Sequence, residues 1–427
     1  MVSSKKYLAF MLCIGLIMAL VPATAAAAAT KTISVTIDGK KQSYSASPRV
    51  VNGRTLVPYR AIAEALGGTV SYDAKSQKAT IKKSGATIEL TQGSKKAYIN
   101  GSAVSLDAGP MNSNGNVLVP LRFVGESLGV WVTWNGTSST AVLETKRTFK
   151  HRLGSAELNH VPKRVVVLFN GGVDISVLLK VKPVGAVESY IQQPFYEYIR
   201  PSLIGTKTLG DETQPNVEAI AALKPDVIIG TIERHEKIYP QLSKIAPTII
   251  MDDLSAWQEN LQVISKVYNK EEAASAFMAD WDAQVADFKK KLPASIKGSA
   301  ISIIRVNPNG TARAYNAGFA YKIFKELGFS TPKAQLATGQ EFIAVNSQEQ
   351  VSLLDGDYIF DFTTDWDGDG AVLQHQKTWT SSALWKNLKG VKNNHYYKVN
   401  SVTWNLSGGA LAAKLMLDDL YFHFGLE

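Results

Sequence analysis

The sequence predicts an α/β protein in which one long helix joins two lobes, preceded by a small α+β domain. Three observations support this architecture. Short apolar runs alternate with amphipathic stretches after residue 160, one long helical pattern separates two series of such runs, and an internal repeat occupies residues 31–146. Short apolar runs are typical of buried parallel strands, and their alternation with helices indicates α/β lobes.

Length and composition narrow the function before any motif is considered. The 427 residues are 45% hydrophobic and 19% charged, which excludes a disordered chain. A single cysteine excludes a disulfide scaffold, and the six scattered histidines disfavour a multi-histidine metal enzyme. The formal net charge is +9, but residues 147–427 hold 30 Lys+Arg and 30 Asp+Glu. Because the larger part is neutral, we do not expect a nucleic-acid partner.

The first residues have the pattern of a secretory signal peptide. Two lysines precede an apolar run from Tyr7 to Val21, and small residues follow Pro22. We assign the signal peptide to residues 1–28. Cys13 lies within the apolar run and lacks small residues before it, so we do not expect it to be lipidated. The mature protein is therefore expected to be secreted and to lie in the cell wall or on the outer face of the cell membrane, without a lipid anchor.

Residues 31–146 contain two copies of one pattern at an offset of 62 residues. Residues 54–60 (RTLVPYR) recur as residues 116–122 (NVLVPLR), and each copy predicts a strand, a proline, an amphipathic helix and a strand pair. The repeat resembles the copper amine oxidase N-terminal domain, a stalk module of secreted proteins, and this resemblance implies no oxidase activity. Arg60 and Arg122 are expected to be structural, with polyanion contact as the alternative.

The rest of the chain, residues 147–427, predicts two Rossmann-like lobes. We place the N-lobe at residues 160–268 and the C-lobe at residues 297–427, each with its own series of apolar strands. Apolar residues spaced by three and four predict one helix over residues 271–292, with acids at its start and lysines at its end. A single long helix is a stiff connection, so we expect little movement between the lobes.

Five sequence blocks in this region resemble the class III solute-binding proteins, the receptors of ATP-driven importers of iron-siderophores, haem and cobalamin. The blocks are residues 162–168 (PKRVVVL), 214–226 (QPNVEAIAALKPD), 239–248 (YPQLSKIAPT), 323–328 (IFKELG) and 404–409 (WNLSGG). Residues 233–237 (ERHEK) and 402–405 (VTWN) most resemble receptors for hydroxamate and citrate-hydroxamate siderophores. The resemblance implies a ferric siderophore as ligand and an ABC permease as partner. It also implies that Glu218 and Glu349, one on each lobe, dock on the permease.

Ligand contacts are expected just beyond the carboxyl ends of the predicted strands, where open α/β sheets bind their ligands. Arginine forks suit carboxylate and hydroxamate oxygens, and aromatic rings suit apolar linkers. The side chains that fit these criteria are Arg234, Arg305, Arg313, Tyr315, Trp366 and Trp404. The alternatives are an ion pair within the lobe for Arg305, a solvated side chain for Arg313, and core packing for Trp366 and Trp404. The iron arrives within the siderophore, so no cofactor is expected.

Enzyme and metal signatures fail in this sequence. His235 and Glu236 begin like a zinc-protease helix, but Tyr239 occupies the position of the second histidine. The loop starting at Asp365 begins like a calcium site, but its twelfth position is Gln376 instead of glutamate. We therefore expect no catalytic and no metal-binding residues. The open alternatives are a wall-associated structural or adhesion protein and a haem or cobalamin receptor, and the basic residues 31–146 are expected to contact anionic cell-wall polymers.

Overall fold

A computed structural model describes residues 32–83, 85–337 and 339–427. The predicted signal peptide at residues 1–28, including Cys13, lies outside the described residues. The architecture is the predicted one: a small α+β repeat module precedes two α/β lobes joined by one long helix. Within the described part of the chain, no helix is both long and apolar enough to span a bilayer.

The N-terminal module consists of three antiparallel or mixed sheets around two short helices. Its first repeat and the hairpins that follow it comprise β1 Ser34–Ile37, β2 Lys40–Lys41, β3 Arg49–Val51, β4 Arg54–Pro58, α1 Tyr59–Ala65, β5 Thr69–Asp73, β6 Lys78–Lys83, β7 Ala86–Thr91, β8 Lys96–Ile99 and β9 Ser102–Ser105. Its second repeat comprises β10 Met111–Ser113, β11 Asn116–Pro120, α2 Leu121–Ser127, β12 Trp131–Asn135 and β13 Thr140–Glu144. The sheet orders are β12-β13-β1-β2, β10-β11-β4-β3 and β5-β6-β7-β8-β9.

The two repeats fold alike and exchange strands. Each helix begins directly after the proline that ends the preceding strand, and equivalent elements start 62 residues apart, as in β4 and β11 or α1 and α2. Strands β4 and β11 pair antiparallel, with Val57 opposite Val119. Strand β1 pairs parallel with β13. Two of the three sheets therefore combine strands of both repeats, and the main hydrophobic cluster of the module contains residues of both.

A hairpin of β14 Arg147–His151 and β15 Gly154–Leu158 connects the module to the N-lobe. Trp131 of the second repeat is fully buried in the same hydrophobic cluster as the N-lobe core, and its Nε1 donates to the carbonyl of Val267 at 3.3 Å. The guanidinium of Arg147 lies 5.4 Å from the Trp131 ring. The predicted stalk is therefore packed against the receptor and is not a freely hanging spacer.

The N-lobe is a parallel sheet of order β18-β17-β16-β19-β20 flanked by helices. Its elements are β16 Val165–Val167, α3 Asn170–Leu178, β17 Gly185–Ala186, a 3₁₀ turn Arg200–Leu203, β18 Lys207–Thr208, α4 Val217–Ala222, β19 Val227–Thr231, α5 Ile232–His235, a 3₁₀ turn Glu236–Ile238, α6 Tyr239–Ile245, β20 Thr248–Met251 and α7 Trp257–Tyr268. Strands β16 and β19 are buried along their whole length, as their apolar sequences VVV and VII, the latter followed by Gly230 and Thr231, indicate.

The predicted connecting helix is α8, Glu271–Lys291. Acids occupy its first turn and lysines its last turn, the arrangement that the helix dipole favours. Its buried face includes Trp281, Val285 and Phe288. The helix ends shortly before Pro293, because proline cannot continue the helical hydrogen-bond pattern.

The C-lobe is a mixed sheet of order β23-β22-β21-β24-β25. Its elements are β21 Ile301–Val306, β22 Ala312–Tyr315, α9 Phe319–Leu327, α10 Lys333–Leu336, β23 Phe342–Val345, a 3₁₀ helix Gln348–Leu354, β24 Tyr358–Asp361, α11 Ala371–Ser381, α12 Ala383–Lys386, α13 Lys389–Lys392, β25 Tyr396–Lys398, a π-helical turn Val402–Leu406 and α14 Ala410–His423. Strand β22 runs antiparallel to β21 and β23, while β24 and β25 run parallel to β21.

Helix α14 is a second connection between the lobes. Its first turn packs on α3 of the N-lobe, where the buried carboxylate of Asp174 accepts from the backbone N–H groups of Leu411 at 2.8 Å and Ala412 at 3.0 Å. Near its end, the hydroxyl of Tyr421 donates to the carbonyl of Gln284 on α8 at 2.9 Å. The close approach at Asp174 requires Gly409, because a Cβ there would lie 2.3 Å from the Asp174 side chain.

Candidate functional site

The two lobes meet at a pair of aromatic rings. Tyr190 follows β17 of the N-lobe, Trp366 follows β24 of the C-lobe, and their ring centroids are 6.2 Å apart in an edge-to-face arrangement. Both side chains are partly exposed and lie beyond the carboxyl ends of parallel strands. This contact marks the cleft between the lobes, the position at which α/β sheets bind ligands.

On the N-lobe side, Arg234 lies on the short helix α5 that follows β19. Its Nε is 3.3 Å from Oε1 of Glu212, which is only 1% exposed. The second carboxylate oxygen of Glu212 accepts from the backbone N–H of Asn170 at 2.9 Å and from its side-chain amide at 2.8 Å. Glu212 therefore neutralises Arg234 in part and fixes its position, because a buried carboxylate needs these partners.

His235, the last residue of α5, anchors this helix to the N-lobe through its two ring nitrogens. Its Nδ1 accepts from the backbone N–H of Thr231 at 3.0 Å, and this leaves Nε2 to donate to the Glu212 carbonyl at 3.1 Å. Burial lowers the pKa of His235 to about 4, so the ring is neutral at pH 7. The residue that resembled a zinc ligand in the sequence is thus a structural histidine.

On the C-lobe side, Arg305 of β21 and Arg313 of β22 are direct cross-strand partners. The guanidinium of Arg305 lies 5.9 Å from the ring of Tyr315 and 5.6 Å from the ring of Trp366. The guanidinium of Arg313 lies 4.6 Å from the ring of Phe342. Cation–π contacts hold both arginines in place without neutralising their charge.

The charge on the C-lobe wall is not compensated by protein carboxylates. Among the described residues, no ion pair includes Arg305 or Arg313. Burial lowers the pKa of the Arg305 guanidinium, and the charge of Arg313 adds to this effect. Like charges opposite each other on adjacent strands are destabilising. A wall of this kind favours an anionic ligand, which would supply the missing negative charge.

Trp404 is not placed where the sequence predicted a ligand contact. Its side chain has no exposed surface, its Nε1 donates to Asp419 at 2.9 Å, and its ring stacks on Phe360 at 5.0 Å. The π-helical turn Val402–Leu406 directs the indole into the C-lobe core. We therefore correct the assignment of Trp404 from a cleft residue to a packing residue.

The two predicted docking carboxylates are exposed, one on each lobe. Glu218 lies in the first turn of α4, whose N-cap Asn216 accepts from the Ala219 N–H at 2.9 Å. Glu349 lies in the first turn of the 3₁₀ helix after β23, and a hydrogen bond from Ser347 lowers the pKa of Glu349. On the C-lobe, β23 runs parallel to β21, because both strands run antiparallel to β22. Glu349, which follows β23, therefore lies at the sheet edge where the carboxyl end of β21 lies. On the N-lobe, Glu218 follows β18 of the parallel sheet and lies at the corresponding edge.

Sequence reasoning missed Tyr190, Glu212 and Phe342. Tyr190 and Glu212 each follow a strand of only two residues, β17 and β18, and β18 is too short to produce an apolar run. Phe342 begins β23, a strand whose exposed first residue gives no burial signal. The rule that ligands lie beyond the carboxyl ends of strands would have identified the first two once both strands were known. Among the described residues, no three His, Cys, Asp or Glu side chains form a metal-binding group.

Comparison with known proteins gives two family matches. The copper amine oxidase N-terminal domain matches residues 36–143, and the periplasmic binding protein family matches residues 165–403. The chain is 38% identical to the probable siderophore-binding lipoprotein YfiY of Bacillus subtilis (strain 168), over 67% of this chain and 91% of that protein. It is 31% identical to the achromobactin-binding periplasmic protein of Dickeya dadantii (strain 3937), over 61% of this chain and 86% of that protein.

A solved structure of a siderophore complex is also similar to this chain. SirA of Staphylococcus aureus, complexed with staphyloferrin B, is 38% identical and superposes with a TM-score of 0.62, covering 66% of this chain and 99% of SirA. Some relatives, YfiY among them, are named lipoproteins, so the expectation that this chain lacks a lipid anchor has no support from them. Because the family match at residues 165–403 spans more than half of the 427 residues, the protein belongs to the periplasmic binding protein family of solute receptors, with a copper amine oxidase N-terminal domain before its two lobes.

Proposed function

We propose that this protein captures a ferric siderophore in the cleft between its lobes and delivers it to an ABC permease for iron uptake. One observation carries the proposal: Arg305 and Arg313 stand side by side without a carboxylate partner, beside the rings of Tyr315 and Trp366. A ferric complex with carboxylate or hydroxamate oxygens on its exterior suits forked guanidinium donors, and its linkers suit the aromatic rings.

The iron is cargo in this proposal. It enters already wrapped in siderophore oxygens, so the receptor supplies hydrogen bonds and shape complementarity instead of metal ligands. The names of YfiY and of the achromobactin-binding protein, and staphyloferrin B in the SirA structure, support a siderophore as the ligand class. We propose a hydroxamate or citrate-hydroxamate complex, and the uncompensated arginines favour the citrate-hydroxamate type, because its carboxylates are anionic whereas a ferric tris-hydroxamate is neutral.

The proposed partners follow from the positions of the exposed charges. Glu218 and Glu349 are proposed to meet basic residues of the permease, one from each lobe, at the face where the cleft opens. Anionic cell-wall polymers are a proposed partner of residues 31–146, which hold 14 Lys+Arg against 7 Asp+Glu. Both are charge-based contacts that would register and orient the receptor at its permease.

Tryptophan fluorescence tests the ligand class directly, because Trp366 lies in the cleft. The protein without its signal peptide would be titrated with ferric hydroxamate, citrate-hydroxamate and catecholate complexes, and with haem and cobalamin. We expect saturable quenching at submicromolar concentration by a hydroxamate or citrate-hydroxamate complex. A Trp366→Phe variant should lose most of this signal, while Trp134→Phe, a change in the N-terminal module, should keep it. Quenching by haem or cobalamin alone would refute the proposal.

A further inference from the structure

The second repeat of the N-terminal module is attached to the receptor at the corner between α7 and α8. Arg122 pairs with Glu272 in the first turn of α8. Asn269 accepts from the backbone N–H of Val132 at 3.1 Å and donates to Glu126 at 3.0 Å. With the buried indole of Trp131, these contacts fix the second repeat to the residues from which the connecting helix starts.

Arg147 completes this attachment from the connecting hairpin. Its Nη1 lies 2.6 Å from Glu271 and 2.8 Å from the carbonyl of Lys266, and its Nε lies 2.6 Å from Glu144. The Arg147 side chain is only 12% exposed, and its carboxylate partners are more exposed, so these ion pairs are partly shielded from solvent and salt. A shielded, multiply bonded arginine indicates a permanent interface rather than an occasional contact.

The described residues of the first repeat make no equivalent hydrogen bond or ion pair with the receptor part. Arg60 and Glu64 occupy the positions of Arg122 and Glu126 at the 62-residue offset, but they pair with each other at 3.8 Å and are exposed. Among the described residues, the hydrogen bonds and ion pairs from the two repeats to the receptor part therefore come from the second repeat.

Charge is divided between the halves in the same way. Residues 108–146 hold 2 Lys+Arg and 2 Asp+Glu, whereas residues 32–107 hold 11 Lys+Arg and 5 Asp+Glu. Both cations of the second repeat pair with carboxylates of the receptor part, Arg122 with Glu272 and Lys146 with Glu157. Eight cations described in the first repeat and its hairpins make no ion pair: Lys40, Lys41, Arg49, Lys75, Lys82, Lys83, Lys95 and Lys96.

The attachment lies at the edge of the N-lobe sheet that is opposite to the cleft. The backbone N–H of Val161, four residues before β16, donates to the Gly129 carbonyl at 2.9 Å, and Val267 lies at the end of α7, which returns from the end of β20. Arg234 and Glu218 lie beyond the carboxyl ends of the same parallel strands. A strand of five residues such as β19 spans roughly 15 Å. The attachment of the module and the cleft therefore lie at opposite ends of the N-lobe strands.

We infer that the first repeat and its hairpins form an outward-facing binding surface for an anionic polymer, held rigidly by the second repeat away from the cleft. This inference rests on the proposed function: it assigns the polymer partner proposed for residues 31–146 to one half of the module and orients it relative to the permease. The occupant is a polyanion because residues 32–107 carry a net charge of +6 and include eight lysines and arginines with no carboxylate partner among the described residues. The polymer surface and the proposed docking carboxylates Glu218 and Glu349 lie at opposite ends of the protein. One receptor can therefore bind the polymer and the permease at the same time.

Long-chain inorganic polyphosphate is the probe for this surface. The test compares the protein without its signal peptide with a module variant, Lys41→Gln, Lys75→Gln, Lys82→Gln and Lys95→Gln, and with a matched variant on the lobes, Lys207→Gln, Lys244→Gln, Lys297→Gln and Lys386→Gln. All eight lysines are exposed and lack ion pairs within the described residues. Affinity is measured over a series of salt concentrations, because contacts to a polyanion release counterions.

We expect the module variant to lose at least tenfold in polyphosphate affinity at low salt, with a flatter salt dependence, and the lobe variant to lose less than twofold. Polyphosphate should bind to protein already saturated with ferric siderophore, with unchanged affinity. Equal losses in the two variants would overturn the inference, as would competition between polyphosphate and the ferric complex, which would place the polymer at Arg305 and Arg313. A failure to bind any siderophore would refute the proposed function and leave the polyphosphate result intact.

Discussion

Replacing Asp174 with asparagine is expected to remove a pH dependence from the stability of the two lobes. Asp174 is fully buried between α3 and α14, where its carboxylate accepts from the Leu411 and Ala412 N–H groups and from the Tyr198 hydroxyl. Ser407 adds a hydroxyl at 3.5 Å. Tyr198 is the titratable side chain in hydrogen-bond contact with the carboxyl.

Burial raises the pKa of Asp174 to about 6 from an ordinary value of 3.8, against the opposing effect of these hydrogen bonds. Between these two values the folded protein keeps a proton that the unfolded chain has released. The contribution of Asp174 to the free energy of unfolding is therefore fully present below the unfolded pKa and is lost as pH rises through the folded pKa. Linkage gives a loss of about 2 kcal/mol between about pH 4.5 and 7.

Urea unfolding followed by fluorescence, at about pH 4.5 and 7 and constant ionic strength, measures this effect. Asp174→Asn keeps the shape of the side chain but cannot titrate. It should be less stable overall, because its amide group opposes one of the two backbone N–H groups. Carboxylates elsewhere titrate alike in both chains and cancel from the comparison. The reasoning is refuted if the stability difference between the chains is the same at both pH values.

Further predictions concern the ligand, the interface and the partners. Arg234→Ala should weaken ferric-siderophore binding by about 1.5 to 3 kcal/mol, the usual cost of losing a hydrogen bond to a charged group, and unchanged titration curves from a folded variant would remove it from the site. Trp131→Ala should destabilise the protein by about 3 to 5 kcal/mol, and Trp134→Ala, at a site that is 46% exposed, should cost far less in the same thermal melts. Glu218→Ala with Glu349→Ala should leave siderophore affinity intact and depress uptake of labelled iron; normal uptake would contradict the docking role. Small-angle scattering should change little when ligand is added, since α8 and α14 both connect the lobes, and marked contraction would argue against this.

Local sequence patterns predicted the fold well because its elements have strong periodic signals. The repeat offset places α1 and α2 correctly, and the spacing of Trp281, Val285 and Phe288 predicts the connecting helix. The docking of the module was not predictable in this way. Trp131 contacts Val267 across 136 residues of sequence, and no local pattern encodes such a contact.

The candidate site was predicted in part, for a similar reason. The strand-end rule predicted positions for Arg234, Arg305 and Trp366 that the structure brings to one cleft, and their contact with ligand remains a prediction. The rule failed for Trp404, because this residue lies in a π-helical turn after β25 and its side chain is buried in the C-lobe core. It did not identify Glu212, because the two-residue strand β18 that precedes it gives no apolar run in the sequence.

The capping of α14 by Asp174 has a consequence for the order in which the protein folds. The carboxylate and the Ala412 N–H that it accepts are 238 residues apart in sequence, and α3 is covered by α14 along much of its length. During synthesis, a ribosome finishes the N-lobe strands long before it makes the helix that covers them. The nascent N-lobe therefore carries an uncovered apolar face and a buried-site carboxylate still open to water. Such a chain is expected to stay incompletely folded until α14 emerges, which would suit export before folding, as the predicted signal peptide implies.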